Sequence, residues 1–302
     1  MPTLPEASVA IITRTRERPI LLRRACESVL QQSYLDWVHV IVNDGGDPQQ
    51  VEAVIQPFQS AYQGRIHLIH NSHSVGMEAA SNRGIRASRS AWISIHDDDD
   101  SWHPDFLGRT TTHLQKTPTA RNVQGVVTQT TRIVEEIAGN DITRIHSHSF
   151  NPDLRSISIL RMAQENTFPP ISFLFDRKTA TEVGLFNEAL PVLGDWEFNL
   201  RFLLHANIDV IPQELAFYHH RTPSNTPQNY GNTVTEQDLL HRETEQKLIK
   251  SWAQHLSPPH PGLHALTAYA RNTLLLKREN NILDSTNMAL RQETSHYQIN
   301  PL

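Results

Sequence analysis

The sequence predicts an α/β fold: a Rossmann-like, mixed but mainly parallel sheet with flanking helices, followed by a helical C-terminal extension. Two observations carry this. The first hundred residues alternate short β-branched runs with helix-period segments in the order β-α-β-α-β-α-β, and right-handed crossovers turn such an order into a parallel, doubly wound half-sheet. The last of these runs, Trp92 to His96, then stops abruptly in four consecutive acids, Asp97 to Asp100. In open α/β sheets the ligand crevice lies beyond the carboxyl ends of the strands.

The elements follow in order. Val9 to Thr13 is a β-branched first strand, and Thr13 to Arg18 a polar loop. Pro19 opens a helix, where its missing N–H is no loss, and Leu21, Leu22, Ala25, Cys26, Val29 and Leu30 give that helix a core face. Val38 to Val42 is apolar throughout, as expected of a strand buried on both faces, and Asn43-Asp44-Gly45-Gly46-Asp47-Pro48 reads as a turn. A helix over about 48–62, a strand over Ile66 to His70 and a helix over Met77 to Ser88 complete the half-sheet. Three polar loops then share one sheet edge. They carry Thr13, Arg14 and Arg18, then Asp44, then Asp97 to Asp100, a constellation of charge suited to a nucleotide.

The second half changes character. Val123 to Thr131 and Thr143 to His148 read as strands around a turn at Gly139-Asn140-Asp141, and Ile171 to Phe175 as another strand. Thr179 to Val183 is a short helix, and Gly194-Asp195-Trp196-Glu197 opens a longer one, with Asp195 at a position that suits an acid. Ile208 to Ile211 and Leu215 to Tyr218 are two short strands, the second leading into His219-His220-Arg221. Amphipathic helices are expected over about 239–252 and 263–283.

Composition narrows the function classes. With 302 residues, 20% charged and a net charge of -5, the chain has no basic footprint for nucleic acid. A single cysteine excludes a disulfide framework. No apolar run reaches the roughly 18 residues of a membrane span, and Met1 to Ser8 lacks a basic-then-apolar leader. A cytoplasmic protein is expected, with attachment at a membrane surface left open. Packed carboxylates repel one another by about 1 kcal/mol or more per close pair, and a cation relieves this. Hard oxygen ligands without cysteine suit Mg²⁺ or Mn²⁺ shared with substrate phosphates. The alternative is an acidic surface turn capping the next helix. Cys26 reads as inert packing, His96 as structural, and Trp102 and Trp196 as core residues or sugar-stacking surfaces.

Together these segments resemble family 2 glycosyltransferases of the GT-A fold over roughly residues 8–221. The resemblance rests on Ile11 to Pro19 with Leu21 to Ala25 and Ser28 to Leu30, on Val42-Asn43-Asp44-Gly45-Gly46, on His96 to Trp102 as a DxD region, and on Val183 to Asn187 followed by Asp195-Trp196-Glu197. It implies a transferase domain over 1–230, with a nucleotide-binding half near 8–105 and an acceptor half near 106–230, and a helical extension over 231–302. It further implies that Thr13 and Asp44 contact the base or ribose with Arg14 nearby, that Asp97 with its neighbour Asp98 faces the ribose or metal, that Asp99 binds Mn²⁺ or Mg²⁺ on the diphosphate, and that Asp195 is the general base. His219, or His220 beside it, is a candidate for the metal or diphosphate. The implied reaction is inverting transfer from a nucleotide-diphosphate sugar, UDP-sugar first, to a glycan or lipid-linked glycan in polysaccharide biosynthesis. The C-terminal helices would pack on the domain or form a homodimer. Where the family often has Glu-Asp this chain has Gly194-Asp195, so a second acid is either missing or supplied by Glu197. The competing readings are a noncatalytic nucleotide-sugar scaffold, a nucleotidyltransferase, which would want a Gly-rich first loop, and a metal-dependent phosphohydrolase.

Overall fold

The structure is a computed structural model and describes residues 6–139, 141–221, 230–231 and 238–254. Val9–Thr15 (β1), Trp37–Asp44 (β2), Ile66–Asn71 (β3) and Trp92–Ile95 (β4) pair in the order β3-β2-β1-β4, all parallel. Alternation along β1 feeds two apolar layers. Val9 and Ile11 pack with Leu22, Cys26 and Val29 of Pro19–Leu30 (α1) and with Val51 and Ile55 of Pro48–Ile55 (α2). Ala10 and Ile12 face the opposite layer, with Ala80 and Ile85 of Met77–Arg86 (α4). Burial pushes the Cys26 thiol up to about 12, so it is inert packing.

The helix expected over 48–62 is broken. A 3₁₀ turn over Gln56–Phe58 separates α2 from the single turn Gln59–Tyr62 (α3), because Pro57 has no N–H to continue the ladder. β2 is longer than expected, running on through Asn43 and Asp44 to pair with His70 and Asn71.

The second half adds Ser101–Trp102 (β5), Phe106–Lys116 (α5), Val123–Ala138 (β6), Asp141–Ser149 (β7), Ile159–Gln164 (α6), Phe173–Asp176 (β8), Arg177–Glu182 (α7), Gly194–His205 (α8), Asn207–Arg221 (β9) and Asp238–Gln254 (α9). The described strands form one mixed sheet, β3-β2-β1-β4-β8-β6-β9-β5, with β7 paired to β6. β8 runs antiparallel to β4 and to β6, while β9 returns parallel to β6. The two short strands expected over 208–218 are one strand. Its register against β6 skips between Ile211 and Glu214, where Pro212 cannot donate to a ladder and a bulge absorbs it. Leu248 of α9 is buried in the same cluster as Phe198 and Phe202 of α8, so this helix packs on the domain. The helix expected over 263–283 lies outside the described residues.

Gly84 fixes how closely α4 approaches the sheet, because a Cβ there would lie 2.5 Å from Ile12 Cγ2 and 3.2 Å from Val42 Cγ2. Overpacking of this kind costs about 1–3 kcal/mol, more than the roughly 1 kcal/mol that alanine returns in helix propensity. Gly84→Ala is therefore expected to lower the melting temperature, measured by differential scanning fluorimetry, whereas a change governed by propensity alone would raise it.

Candidate active site

The strand ends at the carboxyl edge of the parallel half-sheet open onto a cleft of about 590 Å³. The far wall is built from the loop before α8, with Pro191, Val192 and Leu193, and from Asp195 in its first turn. Arg14, Thr15 and Arg18 come from the end of β1 and its loop, Asp44 from β2, and Asp97, Asp98 and Asp99 follow β4.

The acids are held by guanidiniums. Arg14 grips Asp97 in a bidentate pair, Nε to Oδ1 at 2.7 Å and Nη2 to Oδ2 at 3.2 Å, and reaches Ser81 Oγ at 3.1 Å. Thr15 Oγ1 donates to Asp98 Oδ2 at 2.6 Å. Arg18 Nη1 lies 3.3 Å from both Asp98 Oδ1 and Asp99 Oδ2. Arg221, its guanidinium fully buried, also binds Asp99 Oδ2. Beneath them Arg24 pairs with Glu135 of β6 at 2.7 Å, and Arg221 stands 3.6 Å from the same carboxylate. The repulsion expected among four adjacent acids is thus relieved largely by four arginines. Burial alone would raise the Asp99 carboxyl, but Arg221 and Arg18 hold it well below the usual range. Burial beside Asp99 and Asp97 pushes the Asp100 carboxyl far up, while its Oδ1 accepts from the His219 N–H at 2.9 Å.

Among the expected site residues, Asp44, Arg14, Asp97, Asp98, Asp99 and Asp195 line the cleft. Thr13 does not. It is buried two residues inside the strand end, with its hydroxyl on His39 Nε2 at 2.8 Å, and Thr15 occupies the rim. Asp44 organises the loop after β3, accepting from Asn71 at 2.7 Å, Ser74 at 2.7 Å, Val75 N at 2.9 Å and Gly76 N at 3.1 Å. These bonds outweigh burial and lower its pKa. Gly45, with φ +83°, permits that loop's close approach, since a Cβ would lie 2.4 Å from Ser74 N.

His219 was expected near a metal, but both its ring nitrogens are engaged: Nδ1 with Glu135 at 2.7 Å and Nε2 with Ser101 Oγ at 2.8 Å. The imidazole therefore braces Glu135 and β5 and offers no free nitrogen for ligation. Asp99 differs. Oδ2 is taken by two arginines, while Oδ1 accepts no hydrogen bond among the described residues. No set of three His, Cys, Asp or Glu among the described residues could hold a metal. A divalent ion would fit here with Asp99 Oδ1 as its protein ligand and substrate oxygens and water as the rest, the usual manner of Mg²⁺. Trp102 and Trp196 donate to the carbonyls of Ile171 and Met162 and are core residues. His96 is fully buried and edge-on to Trp102.

Asp195 is half-buried, and its Oδ2 accepts from Asn166 Nδ2 at 2.7 Å; burial raises its pKa. Glu197 does not supply a second acid, because Arg201 clamps it from Nε and Nη2, both at 2.6 Å, away from the cleft. A different acid stands there. Glu78 of α4 is only 4% exposed and lies against Gly194, where a Cβ would come within 2.2 Å of its Cδ. Glu78, Glu135 and Asn166 lie in no sequence motif, and Thr15 and Arg24 lie within the first strand and helix motif without a role there. The one legible trace is the spacing Leu21, Arg24, Ser28, which places Arg24 on the buried face of α1.

A family model described as glycosyl transferase family 2 matches residues 8–175. The chain belongs to that family. An uncharacterized glycosyltransferase of Rickettsia felis is 27% identical over 80% of this chain, which spans only 40% of that protein's length. The putative colanic acid biosynthesis glycosyl transferase WcaA of Escherichia coli is 33% identical over 36% of this chain and 38% of its own. The fold is that of GT-A glycosyltransferases. TarS 1–349 of S. aureus superposes with a TM-score of 0.60 at 10% identity, covering 87% of this chain and 70% of that one. Mannosyltransferase PcManGT from Pyrobaculum calidifontis, in complex with GDP-Man and Mn²⁺, superposes with a TM-score of 0.59 at 15% identity, covering 95% and 81%. Among the described residues no helix is long and apolar enough to cross a membrane.

Burial, with Asp195, Asp97 and Glu197 nearby and only Arg14 opposing them, lifts Glu78 from 4.5 to about 7. A carboxyl raised in the folded state keeps its proton longer there than in the unfolded chain. Its ionised form therefore penalises folding progressively as pH rises from 4.5 to about 7. Glu78→Gln cannot ionise and keeps the shape. Its melting temperature should rise relative to the parent, more at pH 8 than at pH 5, in parallel thermal melts. A gap independent of pH would contradict the assigned titration.

Proposed function

We propose that the chain transfers a sugar from a nucleotide-diphosphate donor to a hydroxyl of a glycan or lipid-linked acceptor, with inversion at C1 and Asp195 as general base. The observation that carries this is the placement of Asp195 on one wall of the cleft, facing the arginine-held acids on the other. The nucleoside would lie toward Asp44 and the loop it holds, the ribose beside Asp97, and the diphosphate at Asp99 and Arg18. UDP is the first base to test, since TarS has been crystallised with UDP-GlcNAc, although PcManGT was crystallised with GDP-Man.

Asp99 Oδ1 would hold Mn²⁺ or Mg²⁺. Such an ion, when bound, neutralises charge building on the departing diphosphate. The protein's own groups do the rest. Arg18 shares that charge from a fixed position on the cleft, and Arg221, buried behind Asp99, acts through that carboxylate. Asp195 takes the proton from the acceptor hydroxyl as its oxygen bonds to C1 and the bond from C1 to the phosphate oxygen breaks, with the electron pair leaving on the diphosphate. Asn166 orients the base through Asp195 Oδ2. Burial, which raises its pKa, makes Asp195 a stronger proton acceptor than an exposed carboxylate. One carboxylate and one displacement give inversion, by the logic of inverting glycosidases.

A noncatalytic donor-binding scaffold is the second reading. Asp195→Asn separates the two. Under the enzymatic reading it lowers kcat by about 10²- to 10⁴-fold while calorimetry shows donor binding within about twofold of the parent; a scaffold shows no transfer to lose. Asp99→Ala should abolish the metal dependence of nucleotide binding, read by titrating UDP and GDP with and without Mn²⁺. Unchanged metal dependence would remove Asp99 from its assigned place.

A further inference from the structure

The far wall of the cleft holds a second acid that the reaction above does not use. Glu78 is the second residue of α4, yet its carboxylate reaches across to the first turn of α8. Among the described residues its buried Oε2 accepts no hydrogen bond, and the nearest cation, Arg14 Nη1, stands 3.6 Å away. Arg14 is already satisfied by the bidentate pair with Asp97 and by Ser81, so Glu78 is redundant as its counter-ion. Leaving a buried acceptor without a donor is unfavourable, and such an atom at a cleft points to a ligand that supplies the donor.

The surroundings define that ligand. Glu78 neighbours Arg14, and through it Asp97, on one side and Gly194 with Asp195 on the other. If the diphosphate is at Asp99 and the attacking hydroxyl at Asp195, the transferred ring must span the interval between them, and Glu78 borders that interval. The absence of a side chain at 194 is what admits it, because a Cβ would meet Glu78 Cδ at 2.2 Å and Oε1 at 2.3 Å. We infer that Glu78 selects the transferred sugar by accepting a hydrogen bond from one of its ring hydroxyls, through the carboxylate that the side-chain-free Gly194 allows into the cleft. The inference rests on the proposed sugar-nucleotide site. It makes Glu78 a specificity residue, distinct from the proton-accepting Asp195.

The test compares the full chain with Glu78→Gln, Glu78→Ala and Gly194→Ala by calorimetric titration. UDP and GDP are titrated alone, and then the corresponding UDP-glucose, UDP-GlcNAc and GDP-mannose. The expected result is a preferred sugar nucleotide whose Kd rises about tenfold or more in all three variants, while the Kd of its parent nucleoside diphosphate moves less than about twofold. Gly194→Ala in the Glu78→Ala background should add nothing further, since the two act through one carboxylate. If nucleotide and sugar nucleotide weaken equally, or neither changes, Glu78 is only a distant partner of Arg14 and the inference is overturned with the transferase reading intact. If no nucleotide binds the parent protein, the donor site itself is wrong and both fall together. Thermal melts of each variant, with unfolding before the titration temperature excluded, keep a loss of sugar affinity from being a loss of fold.

Discussion

Everything at the carboxyl edge of this sheet depends on how arginines and carboxylates neutralise one another. Asp97, Asp98, Asp99 and Glu135 would be intolerable together in a partly buried space without Arg14, Arg18, Arg24 and Arg221. These groups come from distant parts of the chain: the end of β1 and its loop, α1, the turn after β4, β6 and the end of β9. The ion pairs therefore tie the parallel half of the sheet to the strands added by the second half of the chain. Breaking one partner of a buried pair typically costs several kcal/mol, because the other is left uncompensated. The arrangement also sets which oxygens remain for a ligand. Each oxygen of Asp97 and Asp98 already meets a partner, Asp100 is buried against the His219 N–H, and Asp99 keeps Oδ1.

The parallel half was legible because its information is local. Buried strands show as β-branched runs, helices as apolar spacing, and the strand ends as polar breaks. Errors fell where one residue overrode a pattern. Pro57 divided a helix, and Pro212 in a bulge made one strand look like two. α6 was missed because six residues carry too little periodicity to register.

Within the site, the acids and Asp195 were visible because they sit at strand and helix ends in sequence runs. Their partners were not. Glu135 is one of two adjacent glutamates in a strand, and only the β6–β9 register brings it to His219 and Arg221. Thr13 and Thr15 lie on the same strand face, and depth alone decides that the second meets Asp98. Glu78 is an ordinary first-turn acid by sequence; only the bare Cα of Gly194, a hundred residues on, makes it part of the cleft. Contacts of this kind live in tertiary geometry, where composition and spacing are silent.

In the proposed donor site, the shared oxygen of Asp99 would have a thermodynamic consequence. A cation arriving alone at Oδ1 approaches a carboxylate whose other oxygen is already drawn by Arg18 and Arg221, so it meets a weakened ligand and two repelling guanidiniums. A diphosphate arriving first gives those guanidiniums another anion to face and returns negative charge to the carboxylate. Each species then improves the site for the other, and by linkage the improvement is equal in both directions. Two ligands that bind poorly apart would load this cleft as one neutralised unit, and release of the spent nucleotide would loosen the cation's hold in the same step.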